Sequence, residues 1–169
     1  MSQTASATQR PFVISRLFDA PRDVVWKANT EADRLQHWWR PTGFTNFAAK
    51  LDLRPGGIFH YGLRSPDGFE MWGKLTYREI SPPDRIVSVV SFSDAQGGIT
   101  RHPMAPTWPI ENLSTTTFAA QGDKTLITVS WCPINATPEE QQAFDAGHDS
   151  MRQGFTGTFD QLADYLAKA

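Results

Sequence analysis

Residues Pro138–Lys168, PEEQQAFDAGHDSMRQGFTGTFDQLADYLAK, decide how the rest of the chain is read. Phe144, His148, Met151, Phe155, Phe159, Leu162 and Leu166 recur at steps of three or four, so on a helix they share one face. Polar and charged side chains, from Glu140 and Gln141 to Asp164, occupy much of the remainder. Thr137-Pro138-Glu139-Glu140 supplies the start signal: Thr at the N-cap, Pro at the first helical position and Glu at the third, a capping box. One long amphipathic helix is predicted. Gly147, Gly154 and Gly157 would each cost roughly 1 kcal/mol relative to Ala in an exposed helix. That predicts close approach of the helix backbone to strands beneath it. A core-facing helix explains the stripe by itself. The sharper reading makes its N-terminal half, Phe144 to Phe155, the roof of a ligand cavity.

Upstream, the chain reads as a strand, two short helices and about six antiparallel strands. Phe12 to Phe18 is the first strand, ended by Asp19-Ala20-Pro21, with Asp19 the expected N-cap of a helix from Arg22 to Thr30. Glu31 to Trp38 is the second short helix. Strands follow at Phe44–Leu53, Ile58–Arg64, Phe69–Ile80, Arg85–Ser93, Leu113–Ala120 and Lys124–Cys132, separated by turns rich in Gly, Pro and Asp. Of the adjacent Met71 and Trp72, only one can face inward. Asp94 to Glu111 is a long loop holding Pro103, Pro106 and Pro109, and a loop of that length in a compact domain usually serves a function. An antiparallel sheet must bury one face. One helix cannot cover so wide a sheet laid flat, so the sheet is expected to curl and to leave a gap beneath the helix.

The chain has 169 residues, which suits a single domain over residues 11–169 behind a Ser/Thr/Ala/Gln-rich tail, residues 1–10, expected to be disordered. Sixteen basic and eighteen acidic side chains give a net charge of -2, which argues against nucleic-acid binding or a polybasic membrane anchor. No apolar run is long enough to span a bilayer, and no secretory signal pattern opens the chain. The single cysteine, Cys132, excludes an internal disulfide and fits a reducing cytoplasm. Six tryptophans and eleven phenylalanines supply wide apolar walls for a core or a pocket.

No metal-ligand spacing is present: His37, His60, His102 and His148 are scattered. No phosphate-binding loop or nucleophile elbow appears, and no cofactor is called for. The candidate ligand-binding residues are Trp39, Phe59, Tyr61, Trp72, Phe92, Trp108, Phe144, His148, Met151 and Phe155. His148 is the one titratable group on the helix stripe. It reads either as a core histidine bonded to a strand carbonyl or Tyr61, or as a polar handle for a ligand or a general acid or base.

Several motifs carry a family resemblance. Phe18-Asp19-Ala20-Pro21-Arg22-Asp23-Val24-Val25-Trp26, Trp38-Trp39-Arg40-Pro41 and Asp52-Leu53-Arg54-Pro55-Gly56-Gly57 resemble the heat-shock-protein-90 ATPase activator homologue-like family. So do Pro66-Asp67-Gly68, Glu79-Ile80-Ser81-Pro82-Pro83-Asp84-Arg85-Ile86 and the ending from Gln153 to Leu166. This family lies in the START-like, birch-pollen-allergen-type superfamily, also called SRPBCC. The likeness spans Phe12 to Leu166, and the loop His102–Pro109 resembles a bacterial subgroup. The resemblance implies an α+β helix-grip fold, a curved antiparallel sheet around a C-terminal helix and a cavity. Superfamily members bind lipids, sterols, polyketides or hormones, and some are cyclases or hydrolases. The eukaryotic namesake stimulates a chaperone through a homologous domain joined to a separate N-terminal one, so no chaperone partner is expected here.

Three functions are carried forward. The first is a cytoplasmic binding protein for a small hydrophobic or aromatic, lipid- or polyketide-like ligand, with the Asp94–Glu111 loop as a lid. The second is a cyclase or dehydratase using His148 or Tyr61. The third is an interaction module, a homodimer or a regulator of a chaperone ATPase, with Trp26 or Trp108 in an exposed apolar patch.

Overall fold

The structure, a computed structural model, describes residues 11–168. The expected disordered tail, residues 1–10, lies outside them. Strand β1 (Phe12–Phe18) is followed by helices α1 (Arg22–Ala28) and α2 (Ala32–Trp38). Then come β2 (Thr45–Leu51), β3 (Ile58–Arg64), β4 (Glu70–Ser81), β5 (Arg85–Ser93), β6 (Ile99–Thr100), β7 (Asn112–Gln121) and β8 (Lys124–Pro133). The chain ends in α3 (Pro138–Ala146) and α4 (His148–Lys168). The strands make one antiparallel sheet in the order β1-β8-β7-β5-β4-β3-β2, with the short β6 added to β5. The arrangement is α+β, with the curved sheet holding α4 against its concave face.

Two bulges help the sheet bend. One interrupts β2 between Asn46 and Ala48, the other β4 between Tyr77 and Glu79; an extra residue on one strand increases its local twist. The core lies between the concave face and the helices. Phe12, Ile14 and Phe18 of β1, Ile127 and Val129 of β8, Val25 and Ala28 of α1, Leu35 and Trp38 of α2, and Phe159, Leu162 and Leu166 of α4 are buried in it. Trp38 is fixed by its indole N–H, which donates to the Ala28 carbonyl at 2.9 Å.

The predicted capping box is present: the Glu140 N–H donates to Thr137 Oγ1, and the Thr137 N–H donates to Glu140 Oε1, each at 3.1 Å. The single long helix is not. It breaks at Gly147 into α3 and α4. Trp108 of the 94–111 loop lies against the break: a Cβ on Gly147 would stand 2.9 Å from its ring. Nor are the helix glycines explained by approach of strands. Gly157 faces Thr42, and Gly154 meets nothing within 4 Å. Asp19 does not cap α1: the N-cap is Pro21, whose carbonyl accepts from the Val24 and Val25 N–H groups.

No helix among the described residues is long and apolar enough to cross a membrane. Trp26 packs edge-on against Phe118, ring centroids 5.2 Å apart, and Trp108 packs on Phe144. Both rings are half-buried, and neither is among the exposed large apolar side chains expected for an interaction patch.

Candidate functional site

The gap beneath α4 is a chamber of about 350 Å³. Its floor is the concave face of β3, β4, β5, β7 and β8; its roof is the middle of α4; one side is closed by residues 38–41, which follow α2. Alternation fixes the floor. Phe59, Tyr61 and Leu63 of β3 share a face with Leu75 and Tyr77 of β4, and with Ile86, Ser88, Val90 and Phe92 of β5. Ser114, Thr116 and Phe118 continue it on β7, and Ile127, Val129 and Trp131 on β8.

Residues 38–41 are held in place by hydrogen bonds. The Trp39 carbonyl accepts from the Asn46 side chain at the β2 bulge, 2.9 Å. The Arg40 carbonyl accepts from Thr158 Oγ1 and Gln161 Nε2 of α4, at 3.2 and 3.0 Å. The Arg40 guanidinium donates to the Phe44 carbonyl at 3.0 Å, and it is the one charged side chain of the chamber wall. Across from it, Gly154 lies in the wall yet is exposed, with open space where a side chain would stand. Gly154 is the exposed part of the wall here, and residues 39–41 are half-buried.

The walls are aromatic. Trp39 stands edge-on to Phe59 and Tyr61, at 6.0 and 5.8 Å, and Phe155 packs between Phe12 and Trp131, at 5.7 and 5.3 Å. Tyr61 lies across β4 because its partner there is Gly73, whose absent Cβ leaves the room its ring occupies. Burial pushes the Tyr61 hydroxyl up to about 12, against a smaller opposing pull from a hydrogen bond with the Trp39 side chain. Burial also raises Tyr77, with Tyr61 beside it adding to the shift. Both phenols therefore stay protonated at neutral pH.

A second chamber of about 130 Å³ lies under the 94–111 loop and shares Tyr61, Leu63, Val90, Phe92 and Trp131 with the first. The loop above it is tied down by Arg101, whose Nη1 donates to the Pro106 carbonyl and to Glu140 Oε2, both at 2.9 Å. Glu140 is buried, and its carboxyl is held below the usual range by the Thr137 N–H and then by Arg101.

Of the residues singled out by sequence, Trp39, Phe59, Tyr61, Phe92, Met151 and Phe155 line the larger chamber. Trp108 lines the smaller one. Trp72 borders the smaller chamber too, but its ring stacks on His60, centroids 4.9 Å apart, on the outer face of the sheet. Phe144 and His148 line neither. Phe144 is fully buried between Trp108 and His148, and the Nε2 of His148 is buried without a hydrogen-bond partner. The expected bond from His148 to Tyr61 or a strand carbonyl is not made. Sequence reasoning missed Tyr77, Ser88, Ser114, Thr116 and Trp131. Parity held the signal for the first three, since each shares the inward phase of its strand's apolar residues. Among the described residues no cluster of His, Cys, Asp or Glu is placed to hold a metal ion.

A curved sheet gripping a C-terminal helix over an apolar chamber is the helix-grip arrangement, a ligand-binding type of fold. The chain belongs to the family described as Activator of Hsp90 ATPase homolog 1-like protein, whose pattern matches residues 19–167. Solved structures show the same fold. A Mycobacterium smegmatis protein has a TM-score of 0.73 at 22% identity, covering 92% of this chain and 90% of its own. An Arthrobacter aurescens protein has a TM-score of 0.74 at 23% identity, with 94% and 87% covered. A Silicibacter pomeroyi protein of the same family has a TM-score of 0.70 at 16% identity, with 94% and 98% covered. No protein of curated function matches the chain.

Proposed function

We propose that this chain is a single-domain cytoplasmic binding protein for a small hydrophobic or aromatic molecule held between the sheet and α4. The observation that carries this reading is the chamber of about 350 Å³ with aromatic walls, within the size range of small-molecule sites. Entry is between Gly154 and the 39–41 segment, and the 94–111 loop is the lid of the inner end. The lone Cys132 suits a reducing compartment. A catalytic role for His148 lacks support, because His148 stands outside both chambers. Tyr61 has the geometry to touch a ligand, and its raised pKa suits a hydrogen-bond donor better than a base.

Native mass spectrometry of the protein purified from its own host tests this. A reproducible extra mass that disappears on denaturation is expected. A Phe155→Trp variant, which fills the chamber, should fold cooperatively and carry less of that mass. Equal loading of wild type and variant would refute the assignment of Phe155 to the binding wall.

A further inference from the structure

The inward face of a sheet packed on a helix is expected to be apolar, and most of this one is. One rung is not. Tyr77 on β4 stands opposite Ser88 on β5, and Ser88 stands opposite Ser114 on β7. At ~4.8 Å between strands, the rung spans about 10 Å of the floor. Thr116 lies two residues along β7 on the same face, next to Ile86. All four line the larger chamber, and Ser88 and Ser114 are only 3% and 7% exposed. Among the described residues, none of the four side chains makes a hydrogen bond.

Their oxygens are not among the enclosed polar atoms left without a partner, so they open onto the chamber and not into packed core; an occupant that covered such a hydroxyl without bonding it would incur about 1–3 kcal/mol. A valine at 88 or 114 would suit the strand and the core without that cost. The hydroxyls are therefore aimed at whatever occupies the chamber. No charged side chain stands near them on the floor: the wall's one charge, Arg40, is tied to the Phe44 carbonyl at the mouth. Trp131 on β8 stands opposite Ser114 and extends the rung with flat apolar surface, and Phe92 lines the same chamber further along β5.

We infer that the Tyr77–Ser88–Ser114 rung is a hydrogen-bonding subsite for a neutral, flat ring compound bearing a hydroxyl or carbonyl, a phenol or aryl ketone. The inference rests on the binding reading above and narrows its ligand. The aromatic walls hold the ring, Tyr77 donates to the ligand oxygen, and a serine hydroxyl accepts from a phenol O–H or donates to a carbonyl. A pure hydrocarbon would leave the rung unpaired, and an acid would find no cation beside it.

Calorimetric titration of the full chain at pH 7 with 2-naphthol and with 2-methylnaphthalene, matched in size, tests it. Two neutral hydrogen bonds correspond to about tenfold tighter binding of the naphthol by wild type. A Ser88→Ala/Ser114→Ala variant should bring naphthol down to the methylnaphthalene level and leave the latter within about twofold. Tyr77→Phe, which only deletes an oxygen, should do part of the same and covers the case that the double variant folds poorly. A preference retained in these variants overturns the subsite. So does equal wild-type binding of both probes with Phe155→Trp weakening both, which leaves the binding reading intact. Binding of neither probe overturns both.

Discussion

Gly154 and Gly147 sit on the same C-terminal segment, seven residues apart, and substituting alanine should move stability in opposite directions. Gly154 is exposed, and a Cβ there meets no atom within 4 Å. Alanine at this helical position keeps every existing contact and recovers ~0.8–1 kcal/mol of helix propensity. For a chain of this size that corresponds to a rise in Tm of about 2–4 °C. At Gly147 the backbone also admits alanine, with φ of -92°. The Cβ, however, would stand 2.9 Å from Trp108 and 3.2 Å from the Ala143 carbonyl. Trp108 must retreat, loosening a ring pair with Phe144 worth ~0.5–1.5 kcal/mol beyond its buried area. That loss cancels or exceeds the propensity gain, so no net stabilisation is expected. Urea unfolding followed by far-ultraviolet circular dichroism, with both single variants and the double, reads the difference directly. About 10 Å separates the sites along the helix, so the double variant should be nearly additive. Destabilisation by Gly154→Ala would mean that the space at the chamber mouth is already filled. Equal gains from both variants would mean that Trp108 does not crowd a side chain at 147.

Two further outcomes follow from burial and charge. Leu162 and Met151 belong to one stripe, but Leu162 is fully buried in the core whereas Met151 borders the chamber; Leu162→Ala should cost ~3–4 kcal/mol and Met151→Ala about 1 kcal/mol, compared by urea midpoints at constant slope. Glu140→Gln keeps the helix cap and removes the charge facing Arg101, so it should cost about 1 kcal/mol near neutral pH. Because the folded carboxyl titrates below its ordinary value of 4.5, the wild-type advantage is fully present above that pH and disappears as pH falls below it. A difference that persisted unchanged at pH 3 would show that the charge is not its source.

Much of the architecture was legible because turn chemistry punctuates it. β1, β3 and β5 have the limits predicted for them, since each is bounded by Gly, Pro, Asp or Ser clusters. The capping box was readable because its two contacts lie within four residues. What escaped depends on distant partners. The helix break lies against Trp108, 39 residues upstream, a contact invisible to periodicity. Of the adjacent Met71 and Trp72 the sequence leaves open which faces inward, and Trp72 shares parity with Ile80, which packs on the core. The β4 bulge between Tyr77 and Glu79 reverses that phase, turning Leu75 and Tyr77 inward and Trp72 outward. Ser88 and Ser114 were passed over because small hydroxyl residues on a strand carry no apolar signal, although their parity placed them on the floor.

One carboxylate joins two parts of the molecule that are otherwise separate in sequence. Glu140 closes the first turn of α3 and also anchors Arg101, which gathers the loop around it. Lifting the loop removes a buried anion's partner, and unwinding the first turn removes the loop's anchor. The two segments therefore exchange as one unit, and amides at the start of α3 should show the same opening free energy as the loop. A molecule that held the loop down from inside the chamber would slow hydrogen exchange at Thr137–Gln141, well away from anything it touched.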